Sequence, residues 1–171
     1  MAVAFAQLCL TTVLLWSGLV KFRDVSAFRQ HVATTMPWLG RGLPVTLALV
    51  VPAVEVVAAG LLLIRPLAWL GCAIATALML AFTGYLMSLL RSRPHSPCGC
   101  AGASKTPVSD VHILRNALLL TMCVLTWWAT VRTSGPDLAS YAVTAAPAAV
   151  IGIAVLHLGE LVSFFHPPRT A

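Results

Sequence analysis

The sequence predicts an all-α protein built into a membrane, a polytopic bundle of about five transmembrane helices. Charged residues make up only 9% of the 171 residues, and 59% are hydrophobic. A soluble domain carries roughly 25% charged residues, so too few polar groups are present here to cover a water-facing surface. The mean hydropathy of +0.91 agrees. We therefore expect a lipid bilayer to surround most of the chain.

Five long apolar runs provide the second observation. Because a bilayer leaves the backbone only a helix or a closed barrel, runs of 18 to 27 residues predict helices rather than strands of about ten. The predicted spans are residues 3–20, 43–64, 67–90, 111–131 and 139–165. We divide them into a four-helix domain, residues 1–132, and a C-terminal helix with a short tail, residues 133–171. No Lys or Arg precedes the first run, which predicts a retained helix rather than a signal peptide.

Basic residues between the runs predict the orientation. The net charge is +6, but no basic stripe is interleaved with aromatic residues, so nucleic acid is not expected as a partner. With five spans, one side of the membrane carries eight basic residues and the other only Arg65 and Arg132. The eight are Lys21, Arg23, Arg29, Arg41, Arg91, Arg93, Lys105 and Arg169. The positive-inside rule then predicts a bacterial cytoplasmic-membrane protein with its N-terminus outside and its first and third connections in the cytoplasm.

The first connection, residues 21–42, predicts a short helix lying on the membrane surface. Phe22, Val25, Phe28 and Val32 recur near helical spacing, and Asp24 is a candidate N-cap. The second connection is only the Arg65-Pro66 pair, which predicts a tight turn.

The third connection contains the sharpest local motif, Cys98-Gly99-Cys100. Two thiols separated by one glycine close only a small, strained disulfide ring, which is easily reduced and so suits exchange. Nearby Arg93, His95 and Lys105 would favour the reactive thiolate. Two alternatives stay open: a passive pair of cysteines, or half of a metal site completed by His95 or His112.

Glu55 lies about twelve residues into the second span, near mid-membrane. A carboxylate at that depth is costly unless it is protonated or paired, so a functional role is the default interpretation. The alternative is a protonated Glu55 that serves packing through a hydrogen bond between helices. Pro52 removes a backbone hydrogen bond nearby and can bend the helix.

Depth along the helices predicts which charges meet. Arg115 and Glu160 lie about 6 and 8 Å from the basic side, whereas Glu55 lies about 18 Å deep. We therefore expect an Arg115–Glu160 ion pair, with His157 one turn from Glu160 on the same face. A structural clamp is the plainer interpretation of that pair, and Asn116 is expected to cap or bridge nearby helices.

Three further cysteines fall within the apolar runs. Cys9 and Cys123 have similar depth and could approach each other, although a single cysteine in a span is usually a small packing residue. Cys72 lies nearer the outer face and has no obvious partner.

Four motifs, taken in order, resemble those of the MauE family, which comprises membrane proteins of methylamine utilisation. That family is related to the wider DoxX-like group of small helical-bundle membrane proteins. The similarity covers roughly residues 5–130 and departs at Ala101, where the family often has an aromatic residue. The motifs are the end of the first span at residues 16–22 with Lys21, the Pro52-Ala53-Val54-Glu55 segment, the Cys98-Gly99-Cys100-Ala101-Gly102 loop, and Arg115-Asn116.

The resemblance implies a role in maturing an exported, disulfide-rich client, the small subunit of methylamine dehydrogenase in the namesake pathway. It also implies a thioredoxin-like partner in the envelope. Cys98 and Cys100 would exchange disulfides, Glu55 would act on the proton or quinone side, and Gly99, Gly102, Lys21, Arg115 and Asn116 would support them. A quinone is a candidate electron acceptor, although no motif demonstrates one.

Two other classes of function compete with a redox role. One is a non-enzymatic assembly or chaperone-like subunit whose cysteines are structural. The other is a small transporter centred on Glu55 and Pro52, against which the lack of an inverted repeat argues. Five short helices enclose little interior, so we expect either a homo-oligomer or a stable partner.

Overall fold

The computed structural model of the protein describes residues 1–37, 40, 42–92, 110–132 and 136–165. Within these ranges every regular element is helical. The helices are α1 Ala2–Arg23, α2 Val25–Thr35, α3 Leu43–Leu63, α4 Ala68–Ser92, α5 Asp110–Arg132, α6 Leu138–Leu156 and α7 Leu158–Phe165, with a 3₁₀ turn at Arg65–Leu67.

Five of these helices are long and apolar enough to cross a bilayer, as predicted. They are α1, α3, α4, α5 and α6. Large apolar side chains such as Leu80, Val124 and Val150 lie on their outer faces and are more than half exposed. An apolar exterior of this kind is the surface that lipid covers. The prediction of an all-α membrane bundle is confirmed.

Helix α1 lies at the centre of the bundle. It packs against α3, α5 and α6, while α4 packs against both α3 and α5. Leu10 and Leu14 of α1 join Ala58 and Leu62 of α3 and Leu119 of α5 in the main apolar core. Since α6 packs along α1, the C-terminal span is an integral part of the bundle, and the division at residue 132 stays a prediction.

The short helix predicted in the first connection is present as α2. The Asp24 carboxylate accepts a hydrogen bond from the Ala27 backbone N–H at 2.9 Å, which makes it the N-cap. That bond, with a second from the Ser26 hydroxyl, holds the pKa of Asp24 below its ordinary value. Val32 is the buried residue of α2, and the helix packs against α3.

The fifth predicted span, residues 139–165, is wrong as a single helix. Helix α6 ends at Leu156, and α7 begins at Leu158 after a break at His157. The Leu156 carbonyl accepts a hydrogen bond from Arg115 Nη1 at 3.1 Å, whereas in a continuous helix it would accept from the backbone four residues ahead. Arg115 of α5 therefore binds the last residue of α6, and α7 packs against α5 as well.

Candidate functional site

A buried ion pair joins α1 to α3 at the end of the bundle where α2 attaches, which we call the basic end. Lys21 Nζ lies 2.7 and 2.9 Å from the two oxygens of the Glu55 carboxylate. It also donates to Ser17 Oγ at 2.5 Å, and the Ser17 hydroxyl donates to Glu55 Oε1 at 3.0 Å. Lys21 is 1% exposed and Glu55 is fully buried. The three side chains therefore form a closed polar unit in an apolar setting.

The directions of the side chains explain why these two residues meet. A helical side chain points toward the N-terminus of its own helix. Since α1 and α3 run in opposite directions, Lys21 reaches inward from the basic end and Glu55 reaches outward to it. Ser17 lies one turn before Lys21 on the same face. Depths counted along the backbone alone did not reveal this pairing.

Lys21 is therefore not one of the surface charges that report orientation, as sequence analysis assumed. It lies within α1 and is buried in the ion pair. Removing it from the count leaves seven basic residues against two, so the charge bias is reduced but keeps its direction.

Helix α1 approaches α3 closely beside this pair, and Gly18 permits the approach. A Cβ added at Gly18 would lie 2.9 Å from Val56 Cγ2 and 3.1 Å from the Pro52 carbonyl oxygen. The glycine between Ser17 and Lys21 thus sets the distance over which the ion pair forms.

Arg115 and Asn116 lie beside this unit on α5. Arg115 is 5% exposed, and its guanidinium donates to two neutral acceptors, the Leu156 carbonyl and Asn116 Oδ1. Asn116 Nδ2 donates to Thr83 Oγ1 of α4 at 3.3 Å, so Asn116 bridges two helices as expected. A small cavity of about 10 Å³ is lined by Glu55, Arg115 and Asn116. This volume has room for one water at most.

The hydrogen bonds of Arg115 go to Leu156 and Asn116 rather than to Glu160, so the pairing inferred from depth is corrected. The Glu160 carboxylate lies 2.9 Å from His157 Nδ1 on the same face, and its side chain is 47% exposed. The depth argument failed because it treated residues 139–165 as one straight helix.

The cysteines divide into two groups. Cys98 and Cys100, with Gly99 and Gly102, lie outside the described residues. The helices that their connection joins are α4, which ends at Ser92, and α5, which begins at Asp110 five residues before Arg115.

Cys9, Cys72 and Cys123 are buried and free. Cys72 of α4 and Cys123 of α5 lie in the same buried apolar cluster, a proximity that sequence analysis missed. Within the described part of the chain, no three His, Cys, Asp or Glu side chains come together as a metal site would require.

Comparison with known proteins gives the class of this bundle. The family model described as "Methylamine utilisation protein MauE" matches residues 1–129, and the chain belongs to that family. No solved structure matches the chain.

A particular relative is the protein named "Methylamine utilization protein MauE" from Paracoccus denitrificans, to which the chain is similar. The two are 39% identical over 79 residues. The similar region spans 45% of this chain and 42% of the relative, which is less than half of that protein's length.

The structure brings three of the four resemblance motifs together. Ser17 and Lys21 come from α1, Glu55 from α3, and Arg115 with Asn116 from α5. Glu55 and Lys21 make direct contact, and Glu55 shares the small cavity with Arg115 and Asn116. Sequence analysis named Lys21, Glu55, Arg115 and Asn116 and included Ser17 within the motif at residues 16–22, but it missed the Lys21–Glu55 contact. The spacing of Ser17 and Lys21 by one helical turn, facing a buried carboxylate, was the signal that could have revealed it.

Proposed function

We propose that this protein supports thiol–disulfide exchange during maturation of an exported protein, with Cys98 and Cys100 as the exchanging pair. The namesake role of the family suggests the small subunit of methylamine dehydrogenase as the client. A thioredoxin-like protein on the side of the membrane that the two thiols face is the partner that we propose for the exchange.

One observation carries this proposal. The motif residues of three separate helices converge on one buried, charged unit instead of being spread along the bundle. That unit lies at the basic end, where α5 begins and the connection with the two thiols rejoins the bundle. A buried ion pair is a weak source of stability, so its presence favours a functional reason for the charges.

The chemistry of the proposal assigns a role to each group. One cysteine attacks the partner's disulfide, or is attacked by the partner's thiolate, through a mixed disulfide. Glu55 is the group that we expect to exchange a proton, since it is the carboxylate of the buried unit. Arg115 supplies a positive charge whose described hydrogen bonds go to neutral acceptors, which suits the stabilisation of negative charge.

The decisive experiment is the double substitution Cys98→Ser/Cys100→Ser in a strain that lacks the chromosomal copy. We expect at least a tenfold loss of active client, because the serine hydroxyl cannot form a disulfide. The matched control is Cys9→Ala, which removes a buried thiol from α1 and should leave the client at the wild-type level. If the double variant matures the client normally, thiol exchange by this pair is excluded.

A second candidate is a non-enzymatic assembly subunit, and one observation favours it. Lys21 has three protons to donate, and Ser17 and the two Glu55 oxygens accept all three. A saturated unit of this kind also suits a structural clamp. Under this alternative, a stably folded variant without the charges would still mature the client, whereas the redox proposal requires Glu55.

The orientation that we propose places the N-terminus outside and the connection with the two thiols in the cytoplasm. Cys98 and Cys100 would be followed by maleimide labelling of intact cells, in a background that lacks Cys9, Cys72 and Cys123. Labelling by a membrane-permeant reagent alone agrees with this orientation and requires electrons to be relayed outward. Labelling by an impermeant reagent only after reduction would place a disulfide outside and overturn it.

A further inference from the structure

A partly open cavity of about 180 Å³ lies at the basic end, between α2, α3, α4 and the end of α1. Phe28 and His31 of α2 line one wall, Val51 of α3 lines another, and Phe82 and Tyr85 of α4 line a third. Apolar atoms form nearly all of the exposed lining. In another protein, a dry apolar cavity of about 150 Å³ binds benzene, so this cavity has room for a hydrocarbon segment of similar size.

The polar groups at the edge of the cavity hold α2 against α4. The Tyr85 hydroxyl lies 2.9 Å from His31 Nε2 and donates to Thr35 Oγ1 at 3.0 Å. Helix α2 also packs against α3 and buries Val32. The wall formed by α2 is therefore fixed to two spanning helices, and the surface that it leaves open is apolar.

Depth along α4 places this apolar surface beside the acyl chains of a bilayer. Arg91 is exposed and lies one residue before α4 ends at Ser92, where a basic side chain reaches the lipid headgroups. Tyr85 and Ala81 line the cavity about 9 and 15 Å deeper along the helix by helical rise. Because the headgroup layer is only about 5–8 Å thick on each side, the cavity lies at the depth of hydrocarbon.

Three arginines surround the same end of the bundle, each on a helix that contributes to the cavity. Arg23 ends α1, Arg29 directly follows the cavity residue Phe28 on α2, and Arg91 lies near the end of α4. All three arginines are exposed. Asp24 is close by, but its carboxylate caps α2. Since each basic residue near the surface strengthens binding of an anionic lipid about fivefold, this rim favours a negatively charged headgroup.

We propose that the basic end binds one anionic phospholipid, with an acyl chain in this cavity and the phosphate group beside Arg23, Arg29 and Arg91. Apolar walls that face an empty space forfeit their van der Waals contacts, so a chain from the bilayer fills the cavity. The chain alone gives no preference among phospholipids, because all of them carry one. The arginines therefore supply the selectivity, for an anionic over a zwitterionic headgroup.

The bound chain lies against the two aromatic rings that cover Lys21. Lys21 Nζ lies 5.2 Å from the centre of the Phe82 ring and 5.7 Å from that of Phe28, and both rings line the cavity. A chain packed against these rings holds them over the ammonium group and keeps water away from its ion pair with Glu55. The lipid site does not depend on thiol exchange, so either proposal can fail without the other.

Binding would be tested by native mass spectrometry of the purified full chain in detergent, titrated with palmitoyl-oleoyl phosphatidylglycerol or with phosphatidylcholine of the same chains. We expect one phosphatidylglycerol to bind at least tenfold more tightly than phosphatidylcholine. Because the two lipids differ in headgroup charge and share their chains, equal affinities would overturn the anionic site. A lipid-free dimer that persists during the titration would identify a second copy as the occupant and would also overturn it.

Two substitutions on different helices test whether a chain occupies the cavity. Val51→Phe and Ala81→Phe each place a ring in it and should weaken phosphatidylglycerol at least fivefold, and one variant with wild-type helical circular dichroism suffices for the test. The matched control is Val57→Phe on α3, at a position that is 55% exposed and outside the cavity lining, and it should bind as the wild type does. Wild-type binding by the folded cavity variants would overturn the cavity assignment.

Arg29→Gln and Arg91→Gln test the headgroup position. Each should weaken phosphatidylglycerol about fivefold and leave phosphatidylcholine unchanged. The matched control is Arg132→Gln, which removes an equal charge from the end of α5 at the opposite end of the bundle and should change neither lipid. Equal weakening by all three variants would mean that binding follows net charge alone, and unchanged binding in the first two would remove the phosphate from the basic end. Either result would overturn the site.

Discussion

Two buried polar contacts join α1 to α3, one near each end of the bundle, and their chemistry differs. At the basic end Lys21, Ser17 and Glu55 form a charged unit. Toward the other end Gln7, four turns earlier on α1, donates to the Leu62 carbonyl of α3 and accepts from the Tyr141 hydroxyl of α6 at 2.7 Å. Gln7 is as deeply buried as Lys21, but the second contact carries no charge.

The difference indicates what the charges are for. The neutral contact already joins α1 to its neighbours without removing an ion from water. An ion pair in the same setting must first overcome the desolvation of both partners, and apolar residues of similar volume often serve stability as well or better. Fastening α1 to α3 therefore does not by itself require Lys21 and Glu55, which supports a role in chemistry for that end.

Breaking the charged unit by one substitution should have the largest effect on stability. Lys21→Met leaves the Glu55 carboxylate buried without its cation, at a cost of about 3–5 kcal/mol in unfolding free energy. Unfolding in mixed detergent micelles, followed by loss of helical circular dichroism, measures this change. We expect Lys21→Met/Glu55→Leu to recover most of the loss, since both charges are then absent.

The double variant also decides between the two functional proposals. If it folds at the wild-type level but no longer matures the client, the charges serve chemistry. Recovery of both folding and maturation would make the unit a clamp, as the assembly hypothesis requires. A single Lys21→Met variant with wild-type stability would show that the buried carboxylate does not need its cation.

Crowding the helix contact beside the ion pair should have the next largest effect. Gly18→Ala places a methyl group 2.9 Å from Val56 Cγ2 and 3.1 Å from a backbone oxygen, so α1 must shift away from α3. Overpacking of this kind costs typically about 1–3 kcal/mol. The same micelle unfolding measures it, and maturation of the client should fall with it because the Lys21–Glu55 distance depends on this contact.

Gly60→Ala is the matched control on α3. A Cβ there meets nothing within 4 Å, so the substitution should be neutral or slightly stabilising. Equal effects of Gly18→Ala and Gly60→Ala would mean that close packing at Gly18 does not set the geometry of the ion pair.

The sequence predicted the features that depend on neighbouring residues and missed the contacts between helices that are distant along the chain. The five spans and α2 with its Asp24 cap followed from apolar run length and local capping, which depend on neighbouring residues only. The Lys21–Glu55 contact depends on two side chains that extend toward each other from antiparallel helices, and counts along the backbone do not contain that information. The break after Leu156 was equally hidden, and so was the contact there, because the guanidinium that binds the Leu156 carbonyl comes from α5, 41 residues earlier in the chain.

Disrupting the neutral contact should have a smaller effect than breaking the charged one. Tyr141→Phe removes one hydrogen bond to Gln7 and keeps the ring, for an expected loss of about 1 kcal/mol or less in unfolding free energy. Client maturation should be unchanged, because this end carries none of the proposed chemistry. A loss in unfolding free energy as large as that of Lys21→Met would contradict the proposed difference between the two ends.

The smallest effect that we expect is a pH dependence at His31, where α2 meets α4. Burial of the imidazole lowers the pKa of His31 below its ordinary value of 6.5, so the folded protein holds His31 neutral. Tyr85 faces the imidazole from α4, and Lys21 of α1 lines the same cavity as His31. Well above pH 6.5 His31 is neutral in both folded and unfolded chains and does not contribute to the pH dependence of stability.

As the pH falls below 6.5, the unfolded chain binds a proton that the folded chain resists, so stability is lost until the pH passes the lowered pKa. We therefore expect the thermal midpoint of the wild type to fall relative to that of His31→Gln as the pH is lowered from 7.5 to 5. Subtraction removes the titration of other groups, including Asp24. If the difference between the two thermal midpoints stays constant over that pH range, α2 does not hold His31 away from water.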